Sequence, residues 1–130
     1  MRIVRLMIIL MITYAPSSKP IQQCDYGKAD IEISFEQGDH GDGRPFDGAS
    51  LSSTKILAHA FPPLDGRLHV DVDQQYWVVG LVKNSVDMKS IALHELGHIL
   101  GLAHSSNNES IMFPIMPFGL VKSLNDNDVN

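Results

Sequence analysis

Residues 94–104 read His-Glu-Leu-Gly-His-Ile-Leu-Gly-Leu-Ala-His and fill the pattern H-E-x-x-H-x-x-G-x-x-H at every fixed position. The spacing constrains the backbone before any other consideration. His94 and His98 are four residues apart, so on a helix they stand one turn apart on one face and can grip a single ion. Gly101 lets the chain leave that helix in a conformation a β-carbon resists, and the chain then returns with His104 as a third ligand. Three protein ligands leave a fourth position for water, the mark of a catalytic rather than a structural zinc. Glu95, beside His94, is placed to take a proton from that water and to return it to a leaving group.

The chain around this segment has 130 residues, room for one domain. A net charge of −5 gives no electrostatic footprint for nucleic acid. Cys24 is the single cysteine, which excludes an internal disulfide framework and reads as an incidental free thiol. Met1-Arg2-Ile3-Val4-Arg5 followed by an uncharged run over residues 6–12 has the plan of a secretory leader over 1–18, with a linker over 19–28. That run is too short to cross a bilayer, and no later segment is apolar and long enough, so no membrane span is expected.

Alternation of Ile31, Ile33 and Phe35 with Glu32 and Ser34 predicts a half-buried strand. Gly, Asp and Ser dominate residues 38–53, which read as a long loop. Further strands are expected over 56–61, 68–72 and 76–82. Helical spacing of Met88, Ile91, Ala92, Leu96 and Ile99 then predicts a helix over about 87–100, capped by Asn84 with Asp87 three residues on and stopped at Gly101. Strands followed by one long helix make an α+β chain.

Met112 follows His104 by eight residues, where a methionine can form a floor beneath the ion. With that residue, the extended histidine motif resembles the metzincin proteases. His104-Ser105 and four upstream blocks narrow the resemblance to the matrixins, the matrix-metalloproteinase-like family. The blocks cover residues 29–35, 38–43, 45–48 and 57–61, and residues 65–71 with Trp77 are most similar to plant matrixins.

The resemblance implies a metzincin fold, with a mixed twisted sheet and an active-site helix. It implies a secreted, monomeric zinc metalloendopeptidase that cuts internal bonds of extracellular-matrix or cell-wall-associated proteins. Beyond the catalytic zinc on His94, His98 and His104, it implies a structural zinc on His40, Asp42, His59 and His69. Calcium is implied at Asp47, Gly48 and Asp71, with Gln74 standing where the family has a glutamate. Leu57 and Ala58 would lie on the strand that holds substrate. Pro114 would wall the pocket beyond the cut, with Met116 where the family commonly has tyrosine and an apolar residue such as leucine as the expected guest.

Against the family pattern, the first strand and helix and the last helix are missing, so residues 29–130 read as a partial matrixin domain. Residues 23–26 lack the family's inhibitory cysteine pattern, which implies a chain that is not latent. The alternative is a metal-binding relic that holds zinc and peptide without turnover.

Overall fold

This computed structural model describes residues 30–46, 56–73 and 76–128. The leader and linker expected over 1–28 lie outside them, as do Asp47, Gly48 and Gln74. Three strands form a mixed sheet in the order β1-β3-β2: β1 (Glu32–Glu36), β2 (Ala58–Ala60) and β3 (Arg67–Asp71). β1 runs parallel to β3, and β2 runs antiparallel to it. Two short strands, β4 (Trp77–Val78) and β5 (Val86–Asp87), pair in parallel and lead into α1 (Met88–Ile99). Among the described residues no helix is long and apolar enough to cross a membrane.

The alternation in β3 builds the centre. Leu68 and Val70 point to one face and join Ala60 and Ile99 in the buried core, with Ile31, Trp77, Met88 and Leu96 packed around them. His69 and Asp71 point to the other face and are buried too, beneath the 38–46 loop, whose Phe46 is 5% exposed. β3 is therefore covered on both sides, which positions His69 within the molecule.

The apolar side of β1 has a different fate from the half-buried one expected. Ile33 and Phe35 pair in register with Leu68 and Val70 and share their face, yet are 43% and 37% exposed. Helix α1 packs over β2 and β3, and among the described residues no element covers this flank of the sheet. Strand lengths also differ from the sequence reading. The β-prone run 76–82 contributes only Trp77–Val78, because Gly80 (φ 103°) turns the chain away and its amide bonds the Asp87 carboxylate at 2.7 Å. The run 56–61 contributes only Ala58–Ala60.

Asp87, and not Asn84, caps α1. Its carboxylate accepts from the Ser90 amide at 2.9 Å and the Ser90 hydroxyl at 2.6 Å, while Asn84 sits three residues upstream at φ 57°. At the other end Gly101 (φ 93°) donates to the His98 carbonyl at 3.0 Å and Leu102 to the Gly97 carbonyl at 2.9 Å. This paired closure is the Schellman ending that a left-handed glycine permits.

Candidate metal centres and active site

Helix α1 presents His94 and His98 on one face, and the reversal after Gly101 brings His104 to them. The Nε2 atoms of His94 and His98 are 3.2 Å apart, and those of His98 and His104 are 3.1 Å apart. Hydrogen bonds on the far side of two rings decide what these atoms are. His94 Nδ1 donates to the Ile111 carbonyl at 2.7 Å, and His98 Nδ1 to the Leu102 carbonyl at 2.8 Å. A carbonyl only accepts, so each Nδ1 carries a proton, and in the neutral form that binds metal each ring turns a bare lone pair inward. Two lone pairs facing each other across 3.2 Å repel unless a cation lies between them. Ligands about 2.0–2.1 Å from a tetrahedral ion stand about 3.3 Å apart, so the spacing fits zinc. Burial lowers the pKa of His94 and of His104, favouring the neutral form a metal needs.

Glu95 is 6% exposed, and burial pushes its carboxyl up to about 7, opposed in part by a hydrogen bond from the Ala60 backbone. The alternation of the antiparallel ladder explains that bond. Asp71 donates to the Leu57 carbonyl and Phe61 to the Arg67 carbonyl, so residues 57, 59 and 61 face β3. The main-chain groups of Ala58 and Ala60 then point outward along the sheet edge. Glu95 thus sits where the helix meets β2, the edge strand of the sheet among the described residues.

Met112 is 4% exposed and lies against Gly97 in the helix, where a β-carbon would overlap its sulfur. The 110–113 turn that carries it is held by Asp128, whose Oδ1 accepts from the Ser110 hydroxyl at 2.5 Å and the Ile111 amide at 2.9 Å. Lys122 Nζ adds bonds to the Asn108 and Ser110 carbonyls at 2.7 and 2.9 Å. Ile111 thereby has its amide fixed by Asp128 while its carbonyl fixes the His94 ring. None of Gly97, Ile111, Asp128 and Lys122 was singled out by the sequence reading. Only Gly97, lying inside the motif, carried a signal.

A second cluster forms behind the sheet. His40 Nε2, His59 Nε2 and His69 Nδ1 stand 2.9, 2.7 and 2.8 Å from the same Asp42 oxygen. The four ligand atoms lie within 4.8 Å of one another. Burial works against the Asp42 carboxylate, but the Arg44 amide and the three imidazoles hold it far below the usual carboxylate range. His40 gives its Nδ1 proton to the Gly38 carbonyl at 2.9 Å, which turns its Nε2 toward the Asp42 oxygen. Three nitrogens and one carboxylate around a point from which water is largely excluded suit a closed tetrahedral ion. Phe61 walls the cluster edge-on to His59 and His69, with the Arg67 guanidinium 4.3 Å above its ring.

Of the expected calcium ligands, only Asp71 lies among the described residues. It is 2% exposed and accepts from the Asp73 amide at 2.9 Å. Pro114 is exposed and Met116 half-buried, just beyond the 110–113 turn.

A helix carrying two imidazoles and a buried acid, with a third imidazole on the return, packed beside the edge strand of the described sheet, defines a zinc-protease type of centre. The chain belongs to the matrixin family, whose profile matches residues 17–130. It is 46% identical over 111 residues to metalloendoproteinase 2-MMP of Arabidopsis thaliana, covering 80% of this chain and 28% of that protein. Metalloendoproteinase 1 of Glycine max is 46% identical over 98 residues, covering 71% and 30%. Karilysin of Tannerella forsythia is 40% identical over 114 residues, covering 83% and 22%. The chain therefore spans less than a third of the length of each of these relatives.

Proposed function

We propose that this chain is the catalytic part of a secreted zinc metalloendopeptidase that cuts internal bonds of extracellular proteins. The observation that carries the reading is the convergence of the His94, His98 and His104 ring nitrogens, with the buried Glu95 carboxyl on the same helix. His94, His98 and His104 would hold the zinc, which when bound supplies Lewis acidity and a water of lowered pKa. Glu95 takes a proton from the attacking water and delivers it to the departing amine, a task suited to a group poised near neutrality. The outward main-chain groups of Ala58, with Leu57 beside it, align an extended peptide by strand addition. Pro114 and Met116 would border the pocket for an apolar residue after the cut.

His40, Asp42, His59 and His69 would hold a second, structural zinc. Calcium at Asp47, Gly48 and Asp71, weakened by Gln74, belongs to the same proposal. So do a leader over 1–18, a linker over 19–28, a catalytic domain over 29–130 and a monomeric state.

The test is cleavage of a quenched fluorescent peptide with leucine after the scissile bond, by zinc-loaded protein. Glu95→Gln is expected to lower kcat by about 10²–10⁴-fold while zinc content stays unchanged. Equal cleavage by the variant would remove Glu95 as the proton carrier. No cleavage by the parent chain holding its full zinc would remove the enzyme reading.

A further inference from the structure

We infer that Asn108 is an N-glycosylation site; the inference rests on the proposed passage of the chain through the secretory pathway. Asn108-Glu109-Ser110 is the chain's single N-x-S/T sequence with x other than proline. Such a triplet is a weak signal until its surroundings are known, and the context that supports it is a surface turn.

The structure supplies that context. Asn108 is exposed in the turn between His104 and Met112. The bonds that hold the turn come from groups other than the Asn108 side chain. The Asn107 carbonyl accepts from the Ser110 amide at 3.1 Å, and the Asn107 side chain accepts from the Glu109 amide at 3.0 Å. The Asn108 and Glu109 carbonyls accept from Lys122 Nζ and Asn125 Nδ2 at 2.7 and 2.8 Å. A sugar on the Asn108 amide would disturb none of these bonds.

Space and chemistry beside it also suit a glycan. A surface groove of about 330 Å³ runs from Asn108 past Leu120, Val121 and Lys122 to Asn125. Leu120 and Val121 are 39% and 43% exposed. A first sugar could lay an apolar ring face on these aliphatic side chains and its hydroxyls against Lys122 and Asn125, covering surface the fold leaves wet. A bulky, solubilising group at this place fits the role such modification has on protein surfaces.

In the folded chain Ser110 is 1% exposed and its hydroxyl is bonded to Asp128. A transferase that must read this hydroxyl has to act before the turn closes, so attachment is co-translational. It therefore does not depend on whether a variant folds.

The experiment is translation of the full chain, behind an added cleavable leader of proven function, with endoplasmic-reticulum microsomes. The expected result is one upward mobility step on protease-protected product, removed by endoglycosidase H. Asn108→Gln and Glu109→Pro should lose the step, and Ser110→Thr should keep it. Protected product without the step, or a step that Asn108→Gln retains, would overturn the site. A parallel arm with the chain's own N-terminus reads secretion by itself. Failure of entry there would remove the secretion reading, while the first arm still decides the site.

Discussion

Gly97 and Met112 are matched to each other. A methyl at position 97 would overlap the Met112 sulfur, and Met112 is 4% exposed, so its side chain would have to repack within the interior to make room. Overpacking of this kind costs about 1–3 kcal/mol, while alanine is worth up to about 1 kcal/mol more than glycine inside a helix. Gly97→Ala is therefore expected to destabilise the parent chain, and to stabilise a Met112→Ala chain in which the space is free. Urea unfolding of the four members of this cycle should show the change of sign, and additive effects would mean the two residues do not compete for the same volume. Gly66 poses a similar restriction at the sheet. It holds φ 77° with the Asp30 carbonyl where a β-carbon would stand, and its own carbonyl accepts from Glu32 where β1 begins.

The start of α1 is an assembly of several segments around one carboxylate. Asp87 accepts from Ser90 twice and from Gly80, and Ser90 is bonded in turn to the Lys122 backbone, with its hydroxyl accepting from the Lys122 amide at 2.8 Å. Burial opposes ionisation of Asp87, but the Ser90 hydroxyl and the Gly80 and Ser90 amides outweigh it and depress the pKa. A depressed carboxylate stabilises the fold above its unfolded pKa, near 3.9, and that contribution is lost as pH falls through the folded value. Asp87→Asn should thus lower stability at pH 7 and flatten its decline between about pH 5 and 2, by the range over which a depressed carboxylate protonates. Equal slopes in urea titrations across that range would show that another group carries the decline. An asparagine there keeps a single acceptor oxygen, so either the Ser90 bonds or the Gly80 bond is lost, which makes about 1–3 kcal/mol the expected cost at neutral pH.

Elements like this show where a sequence can be read and where it cannot. The helix, its glycine stop and the alternation of β3 were legible because each depends on residues within one or two turns of chain. The cap was misplaced because Asn84 and Asp87 are both good cap residues, and the choice was made by Gly80 folding back onto Asp87. β4 stops short for the same reason, since local β-propensity over 76–82 yields to the turn at Gly80. At the candidate centres the histidines declare themselves by type and spacing. The groups that orient them, the Ile111 and Leu102 carbonyls and the Asp128 carboxylate, are ordinary residues given meaning only by contacts across the fold.

At the scale of the whole molecule, the two clusters are expected to fail differently. Asp42 lies at the junction of the 38–46 loop, β2 and β3, so Asp42→Ala should reduce bound zinc by about one equivalent and lower the thermal midpoint. Metal binding is coupled to folding, so the loss falls on stability. His98→Ala removes a proposed ligand that is only half-buried, and should abolish cleavage with a smaller change in midpoint. Metal analysis with circular dichroism melts separates the two, and an identical fall in midpoint for both variants would contradict the assignment of distinct roles.

The two clusters also differ in how much chain must be in place before each exists. His94, His98 and His104 span one helix and one turn, with contacts four and six residues apart. The other set joins residues separated by 17 and 27 positions through a finished β2–β3 ladder. Contacts between distant positions form late because closing the chain is costly. With the two proposed ions, a chain emerging from synthesis or diluted from denaturant would gather the first around a single helical segment, and the second only once the sheet has found its register. Uptake should be biphasic, with the slow phase marking the moment the domain is complete.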